Sequence, residues 1–288
     1  MMVTDFRTAN ICIIGGKGRM GRWFETRFRE AGMASVVADL KDGSVSDQFI
    51  ASFDVVMLAV PVPAVDEVMK TIGSYIRPDA VIMDISSLKR NPVNSMLKYS
   101  QCEVIGTHPL WGPSATSFAD QVIFLCPERT KIWIGAFRRF LEEQGTKVIE
   151  IEPDKHDKLM ACVQTLRHVM LTALGQTLMK LGFDLECDTE ASGPWFQELL
   201  GMMRHQFEQP SELYSDLAIE NEYAARTLNA FQQSLSQLTD LVSSGNRAGL
   251  INAMDEVAHF CAIQETTTKN SSCGWWRDIG GDSRHVEV

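Results

Sequence analysis

Short apolar runs punctuate the first half of the chain, and helical periods fill the second. Asn10-Ile11-Cys12-Ile13-Ile14, Ser35-Val36-Val37-Ala38, Asp54 to Pro61, Ala80 to Ile85, Val104-Ile105-Gly106, Gln121 to Cys126 and Lys147 to Ile151 are brief and largely β-branched, and each reads as a strand. Between them, Val65, Val68, Met69 and Ile72 fall on one face of a helical stretch over 63–76. Lys131 to Glu143 is amphipathic and closed by Gly145. Strands alternating with helices predict an α/β fold, a doubly wound, mainly parallel sheet. From Pro153 onward strand runs cease. His156 to Leu181, 194–208, 211–244 (with room for a break) and 246–265 carry helical spacing. The expected organisation is an α/β domain over 1–152, an all-helical domain over 153–265, and a flexible tail over 266–288, where no period is visible. The apolar faces of the helical half predict burial against a second copy, a homodimer.

Composition narrows the partners. The 288 residues are 45% hydrophobic and 22% charged, with a net charge of -10. That balance argues against nucleic acid or an anionic membrane as a partner, since both favour basic surfaces. An anionic substrate would have to be met by a local basic site. Seven cysteines with no CxxC pair are expected to be reduced thiols of a cytoplasmic protein, and Cys12, Cys126 and Cys162, lying in apolar runs, to be core residues. No signal peptide is evident, and no apolar run approaches the ~20 residues that span a bilayer. No metal-site spacing is present.

The chemistry concentrates in a few segments. Gly16-Lys17-Gly18-Arg19-Met20-Gly21 follows the first strand and opens a helix, the GxGxxG arrangement of a Rossmann-type dinucleotide site. Gly16 is expected to permit the tight turn, Gly18 to let backbone approach a pyrophosphate, and Gly21 to let helix and strand pack closely. The helix N-terminus offers free N–H groups to phosphate. Asp39 closes the second strand at the spacing where a ribose 2′-hydroxyl needs an acceptor, which predicts NAD rather than NADP. Val60-Pro61, Ser86-Ser87 and Thr107-His108-Pro109 lie at strand ends, where open α/β sheets bind ligands. His108 has the type and place of a general base, and Ser87 could hydrogen-bond a substrate hydroxyl. In the helical half, Arg167-His168 and Arg204-His205 are basic pairs in apolar surroundings, suited to a carboxylate. The bland readings of these residues are a loop cap, a turn serine, and solvated or ion-paired helix faces.

These segments, together with Asp84-Ile85-Ser86-Ser87-Leu88-Lys89, Gly106 to Pro113, His156-Asp157, Leu166-Arg167-His168 and Leu213-Tyr214, resemble in order the prephenate dehydrogenases, over about residues 8–262. The resemblance implies NAD-dependent oxidative decarboxylation of a cyclohexadienyl dicarboxylate in aromatic amino acid biosynthesis. It implies His108 as the base, Ser87 as its partner at the 4-substituent, and His168 in substrate binding. Ungapped matching from Pro194 places His205, not Arg204, where that family carries a substrate-carboxylate arginine. The two cannot point the same way on a regular helix, which turns about 100° per residue. Prephenate, 4-amino-4-deoxyprephenate (an antibiotic precursor) and arogenate are the substrates the resemblance allows. Two other readings compete. A hydroxy-acid dehydrogenase would use a lysine base, with Lys158 and Lys180 on offer, and a non-catalytic NAD sensor would lack the base.

Overall fold

The computed structural model describes residues 5–40 and 45–268. The α/β part comprises β1 (Ile11–Ile14), α1 (Arg19–Glu30), β2 (Ser35–Ala38), α2 (Asp47–Ile50), β3 (Val55–Leu58), α3 (Val65–Ile72), β4 (Val81–Asp84), α4 (Arg90–Tyr99), β5 (Glu103–Pro109), β6 (Val122–Arg129), α5 (Trp133–Glu143) and β7 (Lys147–Glu150). The strands form one sheet in the order β2-β1-β3-β4-β5-β6-β7. All neighbours pair in parallel except β5 and β6. Continuous apolar strands require cover on both faces. Alternate residues of β1 supply it to each side: Ile11 and Ile13 pack with Phe24, Phe28, Phe137 and Phe140 of α1 and α5. Cys12 and Ile14 pack with Val65, Val68, Met69 and Met96 of α3 and α4. Chain order reverses at β1, between β2 and β3, which opens a crevice at the carboxyl edge of the sheet.

Two elements depart from the apolar pattern. The fifth strand does not stop at Gly106 but continues through Thr107, His108 and Pro109, because these residues pair antiparallel with Leu125, Phe124 and Ile123 of β6. Helix α4 is an addition, with only Pro92, Val93 and Met96 of its ten residues buried.

The long helical period opens at Pro153. It runs as α6 (Pro153–Met160), a wide π-turn (Ala161–Leu166) and α7 (Arg167–Lys180). Among its buried positions, which also include Asp157, Leu159 and Ala161, the series His156, Met160, Thr165, His168 and Leu171 steps by four, five, three and three. The step of five is the π-turn. Cys162 lies on the outer side of this turn and is exposed, against the expectation of a core thiol, whereas Cys12 and Cys126 are buried. Then follow α8 (Cys187–Glu190), α9 (Pro194–Gln206), α10 (Ser211–Glu220), α11 (Ala224–Ser243) and α12 (Arg247–Thr268). The 211–244 pattern thus breaks at residues 221–223.

By packing, the chain divides after Leu228. The unit through Leu228 holds the sheet together with α6 to α10. The unit from Asn229 consists, as described, of the remainder of α11 and of α12. Of the expected tail, 266–268 belong to α12 and the rest lies outside the described residues.

Candidate active site

The glycine loop meets its structural demands in a shifted order. The left-handed residue is Gly15, at φ +75°, so the tight turn falls there and not at Gly16. Gly16 instead clears space, because a Cβ on it would stand 2.7 Å from Val37 Cγ1 of β2. A Cβ on Gly21 would stand 2.4 Å from Gly16 Cα, so α1 presses on the turn itself. Gly18 is the N-cap of α1 and adds no side-chain cap to its first turn. A Cβ there would meet only the Gly15 carbonyl, at 3.4 Å. The space beside Gly18 and the uncapped N–H groups together make an anion cradle that fits a pyrophosphate. Lys17 is exposed on the loop, and Asp39, half-buried, directly follows β2 at the same edge.

A cavity of about 690 Å³ opens beside this cradle, lined by Gly18, Arg19, Met20, Val60, Pro61 and Ser87, and by residues of α7, α9 and α10. His108 lines it from β5 while only 2% exposed. Its Nδ1 lies 2.9 Å from His156 Nε2. His156 Nδ1 lies 2.7 Å from Asp157 Oδ1. The Asp157 carboxylate also accepts the backbone N–H groups of Lys89 at 2.7 Å and Arg90 at 2.9 Å, at the start of α4. An ionised Asp157 only accepts, which assigns the tautomers in turn: His156 donates from Nδ1, His108 donates from Nδ1, and His108 keeps a lone pair on Nε2. That atom faces Gln164 of the π-turn, whose amide nitrogen lies 3.4 Å away. Burial holds both imidazoles well below the usual histidine range. His108 is pressed further by His156 and Lys89, and His156 by Lys89. Burial pushes the Asp157 carboxyl up to about 6.

On the helical wall, His168 is buried, and its Nδ1 lies 2.8 Å from Gln206 Oε1. Its ring packs against Tyr214, tilted by 38°, at 4.1 Å between centroids. His205 lines the cavity, with Nδ1 3.0 Å from Glu208 Oε2. Arg204 does not line it, and its Nη2 turns to the Leu185 carbonyl at 3.4 Å. The structure thus gathers Ser87, His108, His168 and His205 around one cavity and leaves Arg204 outside.

Residues 26–150 match the nucleotide-binding domain of prephenate dehydrogenase, and residues 152–256 match its dimerization domain. The chain belongs to the prephenate dehydrogenase family. It is 30% identical over 270 residues to a probable arogenate/prephenate dehydrogenase of Methanocaldococcus jannaschii, covering 87% of this chain and 60% of that one. It is 28% identical over 261 residues to the T-protein of Haemophilus influenzae, covering 88% and 68%. The chain therefore spans less than two thirds of the first relative's length. Its fold is that of the Aquifex aeolicus prephenate dehydrogenase crystallised with hydroxyphenyl propionate and NAD+. The TM-score is 0.69 at 22% identity, over 88% of this chain and 97% of the other.

Several residues of this family member, some within the resembling segments, have contacts that a reading of its sequence does not assign. Lys89 is 0% exposed, and its Nζ donates to Asp84 and, at 2.6 Å, to the Thr107 carbonyl. This ties β4 to β5 directly before His108. Ser86 is buried and also donates to Asp84. His156 and Asp157 open a charged helix that looks solvated by composition. Gln164 is placed by a π-turn that a 3.6-residue period does not register. The adjacency of His156 and Asp157 was the one available signal.

Proposed function

We propose that this chain is an NAD-dependent oxidative decarboxylase of prephenate, giving 4-hydroxyphenylpyruvate. The observation that carries the reading is the hydrogen-bonded file His108–His156–Asp157, which turns the Nε2 lone pair of His108, beside the Gln164 amide, toward a cavity next to the anion cradle. The cradle of Gly18, Arg19 and Met20 would hold the pyrophosphate, with Asp39 at the ribose and Val60-Pro61 along the nicotinamide side. Bound there, NAD accepts the hydride that leaves C4 of the ring, while the ring carboxylate departs as carbon dioxide and its electron pair completes an aromatic ring. His108 Nε2 takes the proton of the 4-hydroxyl. A charged imidazole is disfavoured at this buried position, so the Nδ1 proton of His108 shifts to His156, and that of His156 to Asp157. The file is then neutral at a carboxyl already raised to about 6, and the proton returns along it to the phenolate oxygen that decarboxylation leaves, giving the 4-hydroxyl of the product and restoring the base. Ser87 lines the cavity where it can hydrogen-bond the 4-substituent.

The same chemistry on 4-amino-4-deoxyprephenate is the second reading. Gln164 Oε1 is buried without a partner beside His108, and an amino substituent has a hydrogen to spare for it. Arogenate completes the set. The cytoplasm is the compartment this reading implies, and among the described residues no helix is long and apolar enough to cross a membrane.

The test is absorbance of NADH on mixing protein and NAD with each of the three acids. Turnover is expected with prephenate, and with NAD in preference to NADP. Reduction with none of them would refute the reading. His108→Asn should lower kcat by at least ~10²-fold with NAD binding retained, as for loss of a general base.

A further inference from the structure

Arg167 has no role in the chemistry above, yet it lines the cavity from the first position of α7. Its Nη2 lies 3.3 Å from His168 Nε2. The orientation of that imidazole is set from behind. Gln206 Nε2 donates to the His168 carbonyl at 3.1 Å and to Thr172 Oγ1 at 3.4 Å, so Gln206 Oε1 must be the acceptor for His168 Nδ1–H. His168 therefore presents a lone pair at Nε2. A neutral imidazole in that tautomer repels a carboxylate oxygen but suits a guanidinium N–H. Tyr214 braces the ring by packing against it.

The other cations are engaged elsewhere. Arg19 belongs to the anion cradle and donates to Gln209 Oε1 at 2.8 Å. His205 faces Glu208, and Arg204 is turned away. Arg167 commits one N–H to His168 and has no ion pair among the described residues. A guanidinium has five donors in a planar fork, and the fork matches a carboxylate with two parallel bonds.

We propose that Arg167, oriented by His168 and Gln206, is the carboxylate anchor of this cavity and grips the side-chain carboxylate of the substrate, the one that survives the reaction. This rests on the cyclohexadienyl dicarboxylate reading above. Gripping the ring carboxylate instead would stabilise a charge that disappears in the transition state, and so would slow the step.

The experiment compares wild type, Arg167→Gln and Arg167→Lys in NADH turnover with prephenate. It also measures calorimetric binding of hydroxyphenyl propionate, which has only the side-chain carboxylate, with NAD present. The expected result for Arg167→Gln is a rise of roughly 10- to 100-fold in both KM and the Kd of hydroxyphenyl propionate, as for a lost charge-assisted bond. Its kcat and NAD affinity should stay within a few fold, with the lysine variant in between. Arg167 is exposed, so both variants should fold. Unchanged KM and Kd would overturn the proposal. A raised KM with unchanged Kd would overturn the assignment to the side-chain carboxylate. If wild type turned over none of the acids, the functional reading would fail, and the calorimetric Kd would still decide Arg167. As a positioning residue, His168 should tolerate His168→Gln, which restores an acceptor near Nε2, better than His168→Ala, with the difference in KM rather than kcat.

Discussion

In the proposed mechanism, Asp157 sets the proton chemistry of the site. Its carboxylate caps α4 and anchors His156, yet burial outweighs those bonds and raises it to about 6. Above that pH it is ionised, both imidazoles are neutral, and the file can accept a proton. Below it the acceptor is lost. kcat/KM should therefore fall with an acid limb near pH 6 that belongs to Asp157 rather than His108, whose own value lies well below the usual range. Asp157→Asn should remove that limb and lower kcat by roughly 10²-fold. For stability the sign is opposite. A carboxyl raised on folding contributes stability that is fully present below its unfolded value of about 3.9 and is lost as pH rises through the folded value. Ionised Asp157 thus costs stability at neutral pH, so as far as this group governs it, wild type should melt higher near pH 5 than near pH 8. A pH-rate profile and melting curves check both halves. A flat profile between about pH 5 and 7 would count against the assignment.

At the scale of elements, the contact between the glycine turn and α1 separates folding from binding. Gly21→Ala puts a methyl against immovable Gly16 backbone, so α1 must shift. A loss of about 1–3 kcal/mol is expected, as for overpacking, together with weakened NAD binding. Gly18→Ala meets only one carbonyl oxygen at ordinary contact distance and should keep the melting temperature while losing NAD affinity. Melting curves and NAD titration distinguish the two. The strands and most helices were legible because their apolar residues recur at the period of the element they form. Where function intrudes, that signal fails. Thr107 and His108 look like loop residues, yet they are ladder residues of β5, buried as part of the site. Helix α4 presents too few apolar positions to announce itself. His156, Asp157 and Lys89 are buried by the docking of α6 onto the start of α4, a tertiary event without a local pattern. Ser87, His108 and the glycine loop could be placed at the cavity because residue type and strand-end position coincide. Arg204 and His205 were separable by the helical turn between neighbours, and the cavity selects His205.

For the whole molecule, an acidic chain of net charge -10 places two arginines, Arg19 and Arg167, at the cavity proposed to admit anions. In the unit from Asn229, the large apolar side chains of Leu235, Val242, Ile251, Met254, Val257 and Phe260 are exposed. A homodimer is the assembly we propose for these helices. Sedimentation should give the mass of two chains, and Val257→Asp with Phe260→Asp should give one. The π-turn also fixes how such a chain can vary. At about 100° per residue, an unbroken helix would bring Arg167 to within about 20° of the direction of His156 and swing His168 about 120° away. The one residue absorbed by the wide turn exchanges them, so the imidazole goes inward and the guanidinium stays at the cavity. The wide turn thus holds one residue more than a regular helix needs to carry His168 inward, and that residue is what brings Gln164 to the cavity. A single deletion there would leave a regular helix that still carries His168 inward but loses the turn that places Gln164 at the cavity, whereas a further insertion would swing the imidazole about 100° away.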